Sequence, residues 1–328
     1  MQHTKITLIG GGTGSYTLLQ ALKTVTPHIT ALVNMADDGG STGVLRDELG
    51  VLPPGDIRQC LVALSDAPQE LRDLFNFRFP SGTLEGHSFG NIFLSAVEKM
   101  TSDFNDGVRM AGDILRITGR VLPITLDDCQ LLMSTATETV CGQRAVELTN
   151  LPPHSYPHMT FKQPTKCTPA ATQAILEADI VVIAPGNLYG SLAPALIVPG
   201  ITEALLATSA KVVFVCNLVN KPNHTKDFAV HDYAREIERF TAPGVLDYVL
   251  YNQDEPTLAL LKKYALEHEH PVAVDTAVLR TTSYTAVAGN FLSHATINRN
   301  PNDSFIKRSL IRHHAQAVAD TISTIKIR

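Results

Sequence analysis

The sequence has no tryptophan, and aromatic residues make up only 6% of its 328 positions. It also lacks a basic excess, because 27 Lys and Arg stand against 32 Asp and Glu, for a formal net charge of −5. Neutralisation of phosphates dominates the binding of duplex nucleic acid, and proteins of that class usually carry clustered Lys and Arg. We therefore expect no nucleic-acid partner.

Cysteine pairs and long apolar runs are missing as well. The five cysteines are an odd number and none lies in a Cys-x-x-Cys pair, which argues against a disulfide framework or a zinc ribbon. The apolar run Ile6–Ile9 is too short for a signal peptide, and no later run approaches the length of a membrane span. These absences predict a cytoplasmic protein with no membrane partner.

Apolar residues make up 44% of the chain, enough for a large core, and their pattern near the start indicates alternating strands and helices. Lys5–Ile9 is a short apolar run that ends in glycines, Tyr16–Lys23 has helical spacing, and Ile29–Val33 is a second apolar run. Strand, loop, helix and strand in this order form the unit of a parallel sheet.

The same alternation returns later in the chain. Further short strands are predicted at Ile180–Ala184, Val212–Val215, Tyr248–Leu250 and Val272–Val274, and a last helix at Ser309–Ile325. We predict one α/β domain over residues 1–328, a three-layer α/β/α sandwich around a mostly parallel, Rossmann-like sheet. A proline-rich excursion over residues 151–169 interrupts it. Ligands of such sheets bind at the carboxyl ends of the strands.

The first candidate loop, Gly10–Ser15, follows the first strand. Glycines allow a phosphate to approach backbone N–H groups, and the next helix directs its positive end at that phosphate. A dinucleotide loop would have Gly where Ser15 stands, and a Walker A loop would need Gly-Lys-Ser/Thr. The alternative is a tight turn without a ligand, but four glycines in five positions favour a phosphate loop.

The second loop, Asp37–Gly43, follows the second strand and should lie beside the first. Its two adjacent carboxylates, Asp37 and Asp38, suit a Mg²⁺ that bridges to phosphate, or ribose hydroxyls. Gly40, Ser41 and Thr42 add a flexible backbone and two hydroxyls. A solvated turn with an Asp helix cap is the alternative.

Four further loops supply polar candidates on the same edge. They are the segments 52–58, 86–91, 184–191 and 217–220. For each of them, the alternative interpretation is a plain turn or a helix cap without a ligand. The candidates are Arg58, His87, Asn91, Gly186, Asn187 and Asn217. No Ser-His-Asp set, G-x-S-x-G elbow or H-E-x-x-H motif is evident, so ordinary hydrolase classes have no support.

The motifs GGGTGS, DDGGSTG and LPPGDIR, with the later loops, resemble the gluconeogenesis factor family, the YvcK-type proteins. That family is related to 2-phospho-L-lactate transferase, CofD. The resemblance runs from the first strand to Arg312, and it implies a CofD-like α/β fold that binds a nucleotide sugar such as UDP-N-acetylglucosamine.

The resemblance also assigns individual residues. It implies a role for Asn187 in the loop after the central strand, for Tyr264 near the nucleotide, and for Arg312 near the phosphates. For Tyr264, the pattern alone favours a core aromatic residue. The family's Arg-His-Asp motif reads Arg312-His313-His314 here, so its Asp is missing. In the glycine loops the ligand contacts that the resemblance implies are Gly11, Gly12, Thr13, Gly14, Asp37 and Asp38, and Ser15 is a further candidate in the first loop.

The resemblance implies a regulator of cell shape and wall synthesis during growth on gluconeogenic carbon sources. We predict a nucleotide-sugar-binding protein that requires no cofactor, has a protein partner in cell-wall regulation and forms a homo-oligomer. The alternative is a transferase that moves a phospholactyl group from a guanosine-linked donor to a deazaflavin alcohol, with Mg²⁺ held by Asp37 and Asp38. Two residues argue against an NAD-dependent dehydrogenase. Ser15 replaces the third glycine of the dinucleotide loop, and Asn34 stands near the position where such enzymes carry an acidic residue that binds the ribose.

Overall fold

Seven parallel strands form the central sheet of the computed structural model, which describes residues 2–101, 103–294 and 310–327. The strand order is β10-β9-β8-β7-β1-β2-β3. A separate antiparallel sheet has the order β5-β4-β6. The strands are β1 Ile6–Gly10, β2 Ile29–Val33, β3 Arg120–Pro123, β4 Leu131–Ser134, β5 Thr139–Cys141, β6 His158–Phe161, β7 Ile180–Ile183, β8 Lys211–Val215, β9 Tyr248–Asn252 and β10 Thr285–Gly289.

The strand β1 lies at the centre of the sheet, between β2 and β7. Ile6 is in register with Ile29 on one side and with Ile180 on the other. All residues of these three strands are buried, as expected for a sheet covered on both faces. The chain builds outward from β1 to β3, then returns to β7 and builds in the other direction. The boundary between β1 and β7 is therefore the switch point of the topology, where loops diverge and leave a crevice.

Helices cover both faces of the sheet. Their bounds are α1 Gly12–Leu22, α2 Gly40–Leu49, α3 Gly55–Leu64, α4 Gln69–Asn76, α5 Phe89–Thr101, α6 Phe104–Leu115, α7 Gln143–Leu148, α8 Pro169–Leu176, α9 Ala193–Leu196, α10 Ile201–Ala207, α11 Val230–Phe240, α12 Leu258–Ala265, α13 Thr276–Leu279 and α14 Ala315–Ser323, with a π-helical turn at Leu188–Leu192. In the described ranges no single helix meets the length and apolarity needed to cross a membrane. One pair bent by 68°, Leu188–Leu196 with Ile201–Ala207, meets them jointly by length and composition alone.

The structure confirms the predicted α/β sandwich and corrects several elements. The proline-rich segment 151–169 contains the strand β6, whose Met159 is buried, so it belongs in part to the small sheet. Val272–Val274 makes only isolated bridges, and the edge strand is β10 instead. The last helix begins at Ala315, so Arg312 precedes it in an extended segment. The predicted start of that helix, Ser309, lies outside the described residues.

Candidate functional site

Two glycine loops meet at the switch point. The loop after β1 passes so close to the loop after β7 that a Cβ atom on Gly14 would overlap the carbonyl oxygen of Pro185. Gly12 has a φ of +65°, in the left-handed region that favours glycine. Position 14 requires glycine because the backbones of the two loops are in contact there.

Asn217, in the loop after β8, holds the second glycine loop. Its Nδ2 donates to the carbonyl of Gly186 at 2.8 Å, and its Oδ1 accepts from the N–H of Gly186 at 3.3 Å. Next along the chain, the Oδ1 of Asn187 accepts from the N–H of Gly190 at 3.1 Å and so caps the π-helical turn. Loops after three adjacent strands are thus fixed to each other.

These loops line a cavity of about 550 Å³, named here the switch-point cavity. It has the size and the concave shape of a small-molecule site. It brings together eight predicted residues: Gly11, Gly12, Thr13, Gly14, Gly186, Asn187, Asn217 and Arg312. It also contains residues that were not predicted, notably Thr17, Glu147, Lys221, Glu269 and His313.

Arg312 reaches this cavity on an extended segment. The segment bridges back to Leu292 through His313, and the N–H of Ser293 donates to the carbonyl of Arg312 at 2.8 Å. Tyr264 lies beneath the segment and is only 8% exposed. Its hydroxyl accepts from backbone N–H groups of the segment rather than lining the cavity.

The charges in the switch-point cavity are of both signs. Lys221 pairs with Glu269 at 2.6 Å. His313, whose Nε2 lies 3.0 Å from the carbonyl oxygen of Cys216, has its pKa lowered to about 4 by burial, so the ring is neutral at pH 7. Burial also raises the pKa of Glu147, with a smaller contribution from Asp37.

Asp56 lies directly behind the first glycine loop. A Cβ on Gly11 would overlap its carboxylate, and the backbone of Gly12 donates to it. Burial, followed by the charge of Asp37, raises the pKa of Asp56 to about 7. Asp56 lies in the first turn of α3 and was not among the predicted site residues. Its contact with the glycine loop is set by packing, and no local pattern could have revealed it.

The remaining loop residues that were predicted gather at another place, named here the second cavity. It also has a volume of about 550 Å³ and lies at the start of α2 and α5. It is lined by seven predicted residues: Asp37, Gly40, Ser41, Thr42, Arg58, His87 and Asn91. The sequence treated these residues and the first glycine loop as one site, whereas the structure divides them between two cavities.

A smaller cavity of about 230 Å³ connects the two larger ones. It shares Thr13 and Arg312 with the switch-point cavity, and Arg58 and Gln59 with the second cavity. The three form a groove along the carboxyl edge of the sheet.

Two predicted residues serve the framework. Ser15 is fully buried, next to Gly10. Asp38 accepts the N–H of Arg144 at 2.8 Å through Oδ1, and so joins the loop after β2 to the start of α7. Over the described part of the chain, no three His, Cys, Asp or Glu side chains are arranged to hold a metal ion. Any cation at the Asp37 carboxylate would need further ligands from water or phosphate.

Comparison with known proteins connects this geometry to a family. The family model described as 2-phospho-L-lactate transferase CofD matches residues 6–292, which include both glycine loops. The chain belongs to the CofD family. Two of its relatives are a putative gluconeogenesis factor of Nostoc sp., 38% identical over 97% of this chain and 68% of the relative, and the gluconeogenesis factor of Bacillus subtilis, 33% identical over 98% of each.

A solved structure shares the fold of this CofD family member. It is a UPF0052 family protein from Bacillus halodurans, 33% identical, with a TM-score of 0.89 over 98% of this chain and 99% of the other. The agreement over nearly all of both chains confirms the predicted family and fold class.

Proposed function

We propose that this protein binds a nucleoside diphosphate sugar of the UDP-N-acetylglucosamine type in the switch-point cavity, as a regulatory ligand that it does not turn over. The observation that carries the proposal is the contact between two glycine loops at the switch point of a parallel sheet. Such loops offer backbone N–H groups and the positive end of α1 to a diphosphate. The cations Lys221 and Arg312 line the same cavity and can add charge-assisted hydrogen bonds.

The names of the relatives support a regulatory role in carbon metabolism. Proteins named gluconeogenesis factor match this chain at 32–38% identity over nearly its full length. We propose that the ligand-bound protein acts in the cytoplasm, together with a protein partner and as a homo-oligomer, on cell shape and wall synthesis during gluconeogenic growth.

A second candidate is a phospholactyl transferase with a guanosine-linked donor and a deazaflavin acceptor. The matched family model carries the transferase name, and the carboxylate of Asp37 lines the second cavity in the loop after β2. A Mg²⁺ held there would complete its coordination with water and phosphate, and its positive charge would favour departure of the nucleotide. The residues of the chain would position the acceptor hydroxyl in the groove.

Calorimetric titration tests these alternatives. We expect UDP-N-acetylglucosamine to bind more tightly than GDP or NAD, with or without Mg²⁺, and Arg312→Ala to weaken binding by at least tenfold. Preference for GDP with a requirement for Mg²⁺ would favour the transferase. Arg280 is an exposed cation at the end of α13 that lines none of the three cavities, so Arg280→Ala is the matched control and should bind these ligands as the wild type does. If none of the three ligands binds, the regulatory proposal is wrong.

A further inference from the structure

A chain of hydrogen-bonded side chains forms one wall of the second cavity. Arg58 Nε donates to Asn91 Oδ1 at 2.9 Å, Asn91 Nδ2 donates to Ser41 Oγ at 3.3 Å, and Ser41 Oγ lies 3.0 Å from His87 Nδ1. Arg58 and Asn91 are more than nine-tenths buried. The chain therefore starts at a buried guanidinium and ends at an imidazole that is partly open to the cavity.

The orientation of these groups is fixed before any ligand arrives. Arg58 also donates to the side chain of Asn76 and to the carbonyl of Phe75, so it cannot swing away. The N–H of His87 donates to Leu84, and its carbonyl accepts from Phe79, which fixes the loop that carries the ring. Polar groups held in this way bind a small ligand with little loss of conformational entropy.

The charges around the second cavity favour an anion. Three cations, Arg58, Arg78 and Arg144, line it together with two acids, Asp37 and Glu85. The Oδ1 of Asp37 accepts from the N–H of Gly39 at 3.0 Å, so this carboxylate is engaged by the backbone of its own loop. In the ranges that the structure describes, the guanidinium of Arg144 makes no ion pair or hydrogen bond. It remains available at the mouth of the cavity.

We propose that the second cavity is a separate binding site for a small oxyanion, the phosphate or carboxylate group of a metabolite, which contacts Ser41, His87 and Arg144. The hydroxyl and the ring offer hydrogen bonds, and Arg144 offers a bidentate pair. The site lies beyond the connecting cavity from the proposed nucleotide, so the protein would respond to two ligands.

The test is a titration with inorganic phosphate, monitored by imidazole resonances of the ¹⁵N-labelled full chain. His87→Gln identifies the resonance of His87. We expect phosphate to shift this resonance saturably, because the bound anion accepts a hydrogen bond from the ring. Arg144→Gln should weaken phosphate binding about tenfold, whereas the matched control Arg280→Gln should leave it unchanged. A parallel titration with acetate distinguishes a phosphate site from a carboxylate site.

Three results would overturn the proposal. The His87 resonance would not respond to phosphate, or chloride at equal ionic strength would shift it to the same extent, or Arg144→Gln and Arg280→Gln would behave alike. A repeat in saturating UDP-N-acetylglucosamine separates the two sites: retained phosphate binding supports a second site, and competition assigns the cavity to the nucleotide ligand. Because the readout is local to His87, it is independent of whether the switch-point cavity binds the nucleotide.

Discussion

The hydroxyl oxygen of Tyr264 lies 2.9 Å from the backbone nitrogen of Ile311, the residue directly before Arg312. The same oxygen lies 2.7 Å from the nitrogen of Leu310. Tyr264 therefore acts on the switch-point cavity through the backbone that carries Arg312. It is a positioning residue, and its ring is packed in a small apolar cluster with Leu292 and Ile311.

The hydroxyl of Tyr264 should matter more than its ring. Tyr264→Phe leaves two backbone N–H groups without this acceptor, and we expect it to cost about 1–3 kcal/mol of unfolding free energy and to weaken nucleotide-sugar binding several-fold. Calorimetry and urea unfolding measure both effects. Tyr251→Phe is the control, since the hydroxyl of this half-buried residue makes no hydrogen bond within the described ranges. If the ring instead stacked on a base, Tyr264→Phe would bind as tightly as the wild type.

Gly14 should tolerate no side chain. A Cβ there overlaps the carbonyl oxygen of Pro185, so Gly14→Ala must separate the two glycine loops. We expect a loss of about 1–3 kcal/mol in unfolding free energy, typical of overpacking, and loss of nucleotide binding. Gly107→Ala in α6 is the matched control, because its Cβ would meet only ordinary contacts at 3.5 Å or more. Equal stability of the two variants in urea would contradict the contact.

Asp56 should make the protein less stable as pH rises. Its pKa is raised from 3.8 to about 7, so between these values the folded state keeps a proton that the unfolded state has lost. The free energy of unfolding therefore falls as pH rises through this window, and the full loss is reached above about pH 7. Asp56→Asn should flatten that slope.

Urea unfolding of the wild type and of Asp56→Asn, at pH values from 4.5 to 8, measures the slope as a difference. His313 acts in the opposite sense, because its pKa of about 4 makes the folded protein lose stability as pH falls below about 6.5. Both proteins carry His313, so its contribution cancels in the difference. Parallel pH profiles for the two proteins would refute the raised pKa of Asp56.

A carboxylate at position 217 should weaken nucleotide binding. Asn217→Ala removes both hydrogen bonds to Gly186 and should weaken nucleotide binding. Asn217→Asp keeps an acceptor for the N–H of Gly186, but it loses the donor and adds a negative charge beside the proposed diphosphate. We expect Asn217→Asp to bind the nucleotide sugar more weakly than Asn217→Ala does in calorimetry. Asn105→Asp on α6 adds the same charge away from the cavity and should leave binding unchanged. Tighter binding by Asn217→Asp would contradict a phosphate at this position.

The central strands could be predicted because burial on both faces leaves a continuous apolar signature. Ile180–Ala184 was predicted and Ile180–Ile183 is found, with every residue buried. The edge strand Thr285–Gly289 was missed, because it is partly exposed and its only apolar run, Ala286–Ala288, is three residues long and made of small side chains. Local pattern fails where tertiary pairing decides the conformation.

The glycine loops of the candidate site could also be predicted, because the glycine motifs that mark them are local in sequence. The division of the predicted residues between two cavities could not be predicted. Asp56 and Arg58 are two residues apart, yet one lies behind the first glycine loop and the other extends toward Asn91. Successive residues of a helix point in different directions, and only the packing of α3 against α1 and α5 decides which cavity each one meets.

The π-helical turn after Asn187 links the wall of the switch-point cavity to the register of the core. Its defining bond runs from the N–H of Leu192 to the carbonyl of Asn187, 3.0 Å and five residues back, so the turn holds one residue more than an α-helical turn. Ser191, in this wide turn, lines the cavity, while the buried α9 follows at once. Deleting a single residue here would rotate α9, all of whose residues are buried, by about 100° and disrupt its packing against α11 and β6. The length of the loop that lines the switch-point cavity and the packing of the next helix are therefore encoded by the same residues, so neither can change without the other.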